Sequence, residues 1–194
     1  MQWFFLGDKE FRVFRGVYQP AEDSYLLADS VKTEPHHNAI DIGCGTGIQG
    51  LNVLLKGAQK CVFSDVNEIA LENARHNVSQ LKLEHKTDFL HSNLFKHIDG
   101  KYDLIVFNPP YLVSDRIEHA DLDAGHNGRR VLDHFLKQFP IHLSENGACY
   151  FLQSSLNGME KTEKLLAEHG MDFSVVARQK LFFEEIMALK ATKK

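Results

Sequence analysis

Asn108-Pro109-Pro110-Tyr111 places a carboxamide, a rigid kink and an aromatic face within four positions. The tetrapeptide follows an apolar run, Tyr102–Phe107, that reads as a strand. Pro110 holds Pro109 extended, and neither proline has an N–H to give to a sheet ladder. The strand therefore stops here, and the carbonyls at the kink stay free to accept from a ligand. A planar –NH2 group fits such a device, because it needs two in-plane acceptors and a surface to stack on. Accepting both of its N–H bonds, through the Asn108 side-chain oxygen and the Pro109 carbonyl, would pyramidalise the nitrogen and aim its lone pair at an electrophile. No general base of near-neutral pKa is needed before attack, since the proton becomes acidic only as the new bond forms. A plain turn between strand and loop is the competing meaning of these residues, and a donor site nearby would decide between them.

A second cluster, Asp41-Ile42-Gly43-Cys44-Gly45-Thr46-Gly47, falls between an expected strand at Asn38–Ile42 and an apolar helix at Ile48–Lys56. Gly43, Gly45 and Gly47 allow a sharp turn and a close backbone approach to a bulky ligand, and the helix start offers unpaired N–H groups. A tight strand-to-helix turn explains the glycines equally well on its own. Asp65 changes the balance, because it ends the next expected strand about 20 residues on, with Val66 beside it, where a carboxylate accepts from ribose hydroxyls. Asn67 is the better N-cap for the helix Glu68–Val78, which leaves Asp65 for a ligand. The turn reads GxGxG, not GxGxxG, and lacks the Gly-Lys-Ser/Thr of a phosphate-gripping loop. Together with the Asn108 element, this favours S-adenosylmethionine over a dinucleotide.

The elements that must position these residues alternate along the chain. Trp3–Leu6 and Phe11–Phe14 flank Gly7-Asp8 as a hairpin, and Pro20–Ser24 opens a helix with acids in its first turn. After the two strand–helix pairs come a weaker strand at Thr87–Leu90, the strong one before Asn108, a long irregular loop at Val113–Gly128 and a helix to about Phe139. Ala148–Gln153 reads as a strand, Met159–His169 as a helix, and Phe173–Leu181 with Glu185–Lys190 as a closing hairpin. Alternation of this kind predicts an α/β fold with an open, mostly parallel sheet covered by helices on both faces.

Bulk composition narrows the function classes. A chain of 194 residues, 43% hydrophobic, is expected to be one domain spanning 1–194. Lys and Arg number 22 against 26 Asp and Glu, and no basic stripe marks a nucleic-acid face. Three scattered cysteines, Cys44, Cys61 and Cys149, fit a reduced intracellular protein, and the eleven histidines show no ligand spacing, so no metal site is expected. No stretch approaches transmembrane length and the first residues do not form a signal h-region, so a cytoplasmic location is expected.

The sequence resembles the Rossmann-like S-adenosylmethionine-dependent methyltransferases over most of its length, which implies a seven-stranded sheet with a short N-terminal hairpin extension. Asn93-Leu94 stands where that superfamily usually has an acid contacting the adenine amino group. The Asn93 amide oxygen would accept there without charge assistance; loop capping serves equally, and Asp88 is a nearby alternative. Asn-Pro-Pro-Tyr occurs in enzymes methylating adenine amines and in those methylating glutamine amides. Val17–Leu27, with Pro-Ala-Glu-Asp-Ser, and Ala124–Leu132 resemble segments of the HemK-type release-factor glutamine methyltransferases, in their short archaeal and eukaryotic branch.

By that resemblance the methyl acceptor is the glutamine of the Gly-Gly-Gln motif in a class I peptide release factor. Glu22, Asp23 and Ser24 would lie over the S-adenosylmethionine, with residues 1–30 packing on the cofactor side. A small zinc-binding activator protein is the implied heterodimer partner, with the sheet edge near Glu84–Leu90 as its surface, although His85, Lys86 and Asp88 also suit edge protection. The competing functions are an RNA or DNA amino-group methyltransferase, which predicts basic surface at the mouth, and a non-catalytic nucleoside-binding subunit.

Overall fold

The computed structural model describes residues 2–110 and 129–194. Tyr111, the loop from Val113 and the segment Ala124–Gly128 lie outside the described residues. The strands are β1 (Gln2–Leu6), β2 (Lys9–Val13), β3 (Asn38–Ile42), β4 (Lys60–Asp65), β5 (Thr87–His91), β6 (Tyr102–Phe107), β7 (Leu143–Ser154), β8 (Met171–Lys180) and β9 (Glu185–Lys193). The helices are α1 (Glu22–Ser30), α2 (Ile48–Leu55), α3 (Glu68–Gln80), α4 (Arg130–His142) and α5 (Met159–Glu168).

β1 and β2 form the N-terminal hairpin, and the other strands make a seven-stranded sheet in the order β5-β4-β3-β6-β7-β9-β8. β5 through β7 run parallel, and β9 runs antiparallel between β7 and β8. The expected α/β fold is therefore present, with the hairpin as its extension. Chain order reverses between β3 and β6, so the crevice beyond their carboxyl ends is the natural ligand position.

The two faces of the sheet carry separate cores. Ala39, Leu104 and Val106 face one core with Leu27, Leu51 and Leu71. Ile40, Ile42, Ile105 and Phe107 face the other, with Leu132, Phe135, Leu136 and Leu166. The alternation of β3 and β6 between two buried faces explains why both read as continuous apolar runs.

Polar side chains join the buried Phe4, Phe11, Val13 and Leu27 in seating the N-terminal segment. Asn73 and Asn77 on α3 bond the β2 backbone at Arg12 and Phe14, and the Asn77 amide also donates to the Thr46 carbonyl. From α2, Gln49 donates to the Ser24 carbonyl, Asn52 to Ala28, and Lys56 to Ala28 and Val31. The Ala28 carbonyl lies in the last turn of α1, where the helix itself supplies no donor.

Some boundaries differ from expectation. β7 begins at Leu143, where its backbone pairs with Tyr102 across a register shift, although Ser144–Gly147 reads locally as a turn. α4 continues two residues past Pro140, because a proline in the last turn forfeits only one hydrogen bond. No helix among the described residues is long and apolar enough to cross a membrane.

Candidate active site

A cavity of about 450 Å³ opens at the reversal point between β3 and β6. Its charged lining residues among those described are Asp23, Asp41 and Asp65, with no Lys or Arg. Gly43, Cys44 and Gly45 line it from the glycine turn, Val66 from beyond β4, and Asn93 and Leu94 from beyond β5. Asn108, Pro109, Pro110 and Ser24 complete the set of expected residues on its wall. Gly47 and Glu22 are not on that wall.

Gly43, Gly45 and Gly47 take φ values of 62°, 53° and 83°, the left-handed region where a side chain is strained. Gly47 N-caps α2 from behind the cavity, and a Cβ on it would meet Ala74 Cβ at 3.1 Å and Phe63 Cε1 at 3.2 Å. Its smallness serves the packing of α2 against α3 and β4. The turn is fastened by Asp65, whose carboxylate accepts from the Gly45 N–H at 2.9 Å and the Asn67 N–H at 2.9 Å. Asn67 itself caps α3 by accepting from the Ile69 N–H. Burial raises the Asp65 pKa, against the opposing pull of the Asn67 and Gly45 N–H groups. Each of its oxygens keeps a lone pair for a further donor.

Asp41 is the most perturbed acid on the wall. It is buried, accepts from the Gly50 N–H at 2.8 Å, and burial pushes its pKa up to about 8, with the nearby Asp65 adding to the rise. A group of this kind is a receptor for positive charge, because a bound cation restores the ionised form.

The Asn108 amide is held in one orientation. Its Nδ2 donates to Asp23 Oδ2 at 3.1 Å and more weakly to Ser24 Oγ at 3.4 Å. A carboxylate can only accept, so the –NH2 side must face Asp23. Asn108 Oδ1 is then left buried without a partner among the described residues. Asp23 Oδ1 is occupied by the Ser24 N–H, Ser24 Oγ–H and the Tyr18 hydroxyl at 2.6, 3.1 and 3.2 Å. Burial and the Asp23 carboxylate push the Tyr18 pKa upward, which keeps that hydroxyl a donor.

Glu22 is exposed, whereas its neighbour Asp23 is buried and lines the crevice, so of the two acids it is Asp23 that orients the Asn108 amide. Replacing Asp23 by Ala should free the Asn108 amide to rotate. We expect turnover to fall roughly tenfold or more with donor affinity within a factor of about two, the loss of one charge-assisted hydrogen bond. Steady-state kinetics with parallel donor titration checks this, and Asp23→Asn, which can still accept from Nδ2, should recover part of the rate.

Asn93 is exposed on the rim, and Leu94 has φ 49°, a left-handed conformation uncommon for a bulky residue. Ser92 staples this turn, accepting from the His97 N–H and donating to the Leu94 carbonyl. Strain retained beside a cavity is a mark of a functional site. Tyr18 and Phe107, from segments the sequence marked, also line the cavity, as do Gln49 and Ser92, which carried no motif that would have singled them out.

Residues 19–186 match the family model of the methyltransferase small domain. The chain belongs to this methyltransferase family. A predicted protein N5-glutamine methyltransferase of Methanocaldococcus jannaschii is 38% identical over 181 residues, covering 90% of this chain and 91% of the relative. A release factor glutamine methyltransferase of Borreliella burgdorferi is 33% identical, covering 71% of this chain and 53% of the relative. The solved E. cuniculi Mtq2–Trm112 complex, responsible for methylation of the eRF1 translation termination factor, is similar at 25% identity, with a TM-score of 0.72, covering 92% of this chain and 99% of that one.

S-adenosylmethionine is the methyl donor of this methyltransferase, and the crevice suits it. Three carboxyl groups and no basic residue on the described wall favour a cationic ligand over a pyrophosphate. Since Asp41 has a pKa of about 8, donor binding near pH 7 should release close to one proton as its cationic groups draw the carboxyl into its ionised form. Calorimetry in two buffers of different ionisation heat measures this, and the release should vanish above about pH 9 and in Asp41→Asn. The same raised pKa favours the folded state most below the unfolded pKa of about 3.9, and that contribution is lost as pH rises through about 8. The ligand-free protein should therefore lose thermal stability between pH 5 and pH 8 more than Asp41→Asn does.

Proposed function

We propose that this methyltransferase transfers a methyl group to the side-chain amide nitrogen of the glutamine in the Gly-Gly-Gln motif of a class I peptide release factor. The observation that carries the reading is the clamped Asn108 amide, whose unpartnered Oδ1 is an acceptor reserved for a donor N–H. The activities named for the M. jannaschii, B. burgdorferi and E. cuniculi proteins support glutamine as the group that brings it. S-adenosylmethionine supplies the electrophilic methyl carbon when bound. Of the residues lining the cavity, Asp65 would accept from its ribose hydroxyls, Asn93 would accept from its adenine amine, and Asp41 would balance its positive charge.

On the acceptor side, Asn108 Oδ1 and the Pro109 carbonyl take the two N–H bonds of the glutamine amide. The nitrogen lone pair is thereby turned out of conjugation and made available for attack. Tyr111, expected from the sequence to offer a stacking face, lies outside the described residues. The chain's own contributions are positioning and fixed dipoles, which need no general base.

The reading extends to a partner and a compartment. β5 is the free edge of the sheet, pairing with β4 alone among the described strands, and it is the surface offered to a small zinc-binding activator in a heterodimer. The enzyme acts in the cytoplasm, with the translation machinery.

Labelled methyl transfer onto purified release factor, beside a structured RNA control, tests the proposal, with mass spectrometry locating the modified residue. Label on the Gly-Gly-Gln glutamine is the expected result. Label confined to RNA, or to a different residue of the protein, overturns it. Gel filtration with and without the activator tests the heterodimer, and a fully active monomer would remove that part.

A further inference from the structure

The turn between β8 and β9 carries Phe182 and Phe183, exposed at 92% and 86%, with their rings 4.6 Å apart and edge to face. Leu181 beside them and Leu156, 59% exposed in the short 3₁₀ turn Ser155–Asn157, extend the apolar area. Contiguous exposed apolar surface of this kind marks an interaction site.

Its position is set by the sheet. Phe107 at the end of β6 pairs with Phe151 of β7, and Ser154 at the end of β7 pairs with Ile186 of β9. The β8–β9 turn therefore projects past the same carboxyl-end rim as Asn108-Pro109-Pro110. Three strand spacings, about 14 Å, separate β6 from β8 laterally, and Ser154 lies three residues, about 10 Å, beyond the level of Phe107, so the aromatic pair stands both across from and above the Asn108 element.

The turn is also held firmly. The Leu181 N–H donates to the Glu184 carbonyl at 2.8 Å, the Ser154 hydroxyl donates to the Glu184 carboxylate, and the Glu185 N–H donates to Ser155 Oγ at 3.0 Å. Arg129 ties the 3₁₀ turn to the start of α4 by donating to the Asn157 and Gly158 carbonyls at 2.7 and 2.8 Å. Two residues on, Val131 lines the cavity. The patch and the cavity wall thus share one frame.

We propose that Leu156, Leu181, Phe182 and Phe183 form the docking surface for the body of the protein substrate, gripping an apolar patch beside the loop that delivers the acceptor glutamine. This rests on the proposed protein substrate. Glu185 beside the rings is paired with Arg178, Glu184 is bonded by Ser154, and Lys180 stands on the other flank, so the surface has no excess of positive charge for a phosphate backbone and its apolar area suits a protein. A pre-ordered aromatic tip loses little conformational entropy on binding, which is the property expected of an interface anchor.

The test compares wild type with Phe182→Ser/Phe183→Ser on intact release factor. We expect KM to rise roughly tenfold or more, with kcat, donor affinity and melting temperature unchanged. Wild-type methylation of release factor with no KM change in the double variant overturns the docking surface and leaves the proposed function standing. Failure of the wild type to methylate release factor overturns the proposed function, and the docking surface with it. A substitution that turns a dimer into a monomer, or that weakens RNA or activator binding in place of release-factor binding, assigns the patch to that occupant and overturns the proposal.

Discussion

Asn108→Ala should lower turnover by roughly 10²–10³-fold while donor affinity stays near that of the wild type, by the scale of one lost preorganised transition-state hydrogen bond. The expectation follows from how the amide is held. Asp23 takes Nδ2 at 3.1 Å, and Oδ1 has no partner among the described residues. An unpaired buried acceptor is costly, so the fold tolerates it where a ligand completes it. Asn108→Asp should be about as damaging, because it sets a second carboxylate against Asp23. Donor binding by calorimetry and single-turnover kinetics separate the two halves of the site. Turnover unchanged in Asn108→Ala would remove the acceptor role.

Gly50→Ala should be the most destabilising single-methyl change near the donor side. A Cβ at Gly50 would lie 2.2 Å from Phe63 Cε1 and 2.5 Å from Phe63 Cζ, inside a core where Phe63 is fully buried. Such overpacking costs about 1–3 kcal/mol and sometimes more, as helix and strand are forced apart. The Gly50 N–H that bonds Asp41 would shift with the helix, so donor affinity should fall too. For a chain of this length, about 3 kcal/mol corresponds to a melting temperature lower by roughly 6–12 °C. Phe63→Leu in the same chain should restore part of that loss by vacating the ring edge. A melting point within a degree of wild type in Gly50→Ala would show that α2 and β4 are not packed as described.

Much of the fold was legible because β3 and β6 are buried on both faces, so their sequences announce strands without help from distant residues. The ends of those strands, bearing the glycine turn and Asn108, were legible for the same reason, since chemistry collects where a parallel strand stops. The extent of β7 was not, because Ser144–Gly147 has turn composition and only pairing with Tyr102 makes it a strand. Among the site residues, the Glu22–Asp23 pair shows the limit most clearly. Both acids suit the first turn of α1, and only the angle at which α1 lies on α2 decides that Asp23 enters the crevice. Gly47 shows a related limit, because crowding against Ala74 and Phe63 and approach to a ligand ask for the same residue type. The strained Leu94 backbone had no signal at all, since leucine is the residue least expected there.

The bonds from Gln49, Asn52 and Lys56 to the α1 backbone have a consequence for how far the site can be divided. A chain starting at Asn38 would keep every strand of the large sheet, the whole glycine turn and the tetrapeptide itself. It would lack Asp23, and the carboxamide of Asn108 could then present nitrogen or oxygen to an incoming amide with no preference. Transplanting Asn-Pro-Pro-Tyr into another sheet would meet the same difficulty. On the proposed reading, the selectivity of the motif for a donor –NH2 group belongs to the joint between two distant stretches of chain and travels only when both are moved together.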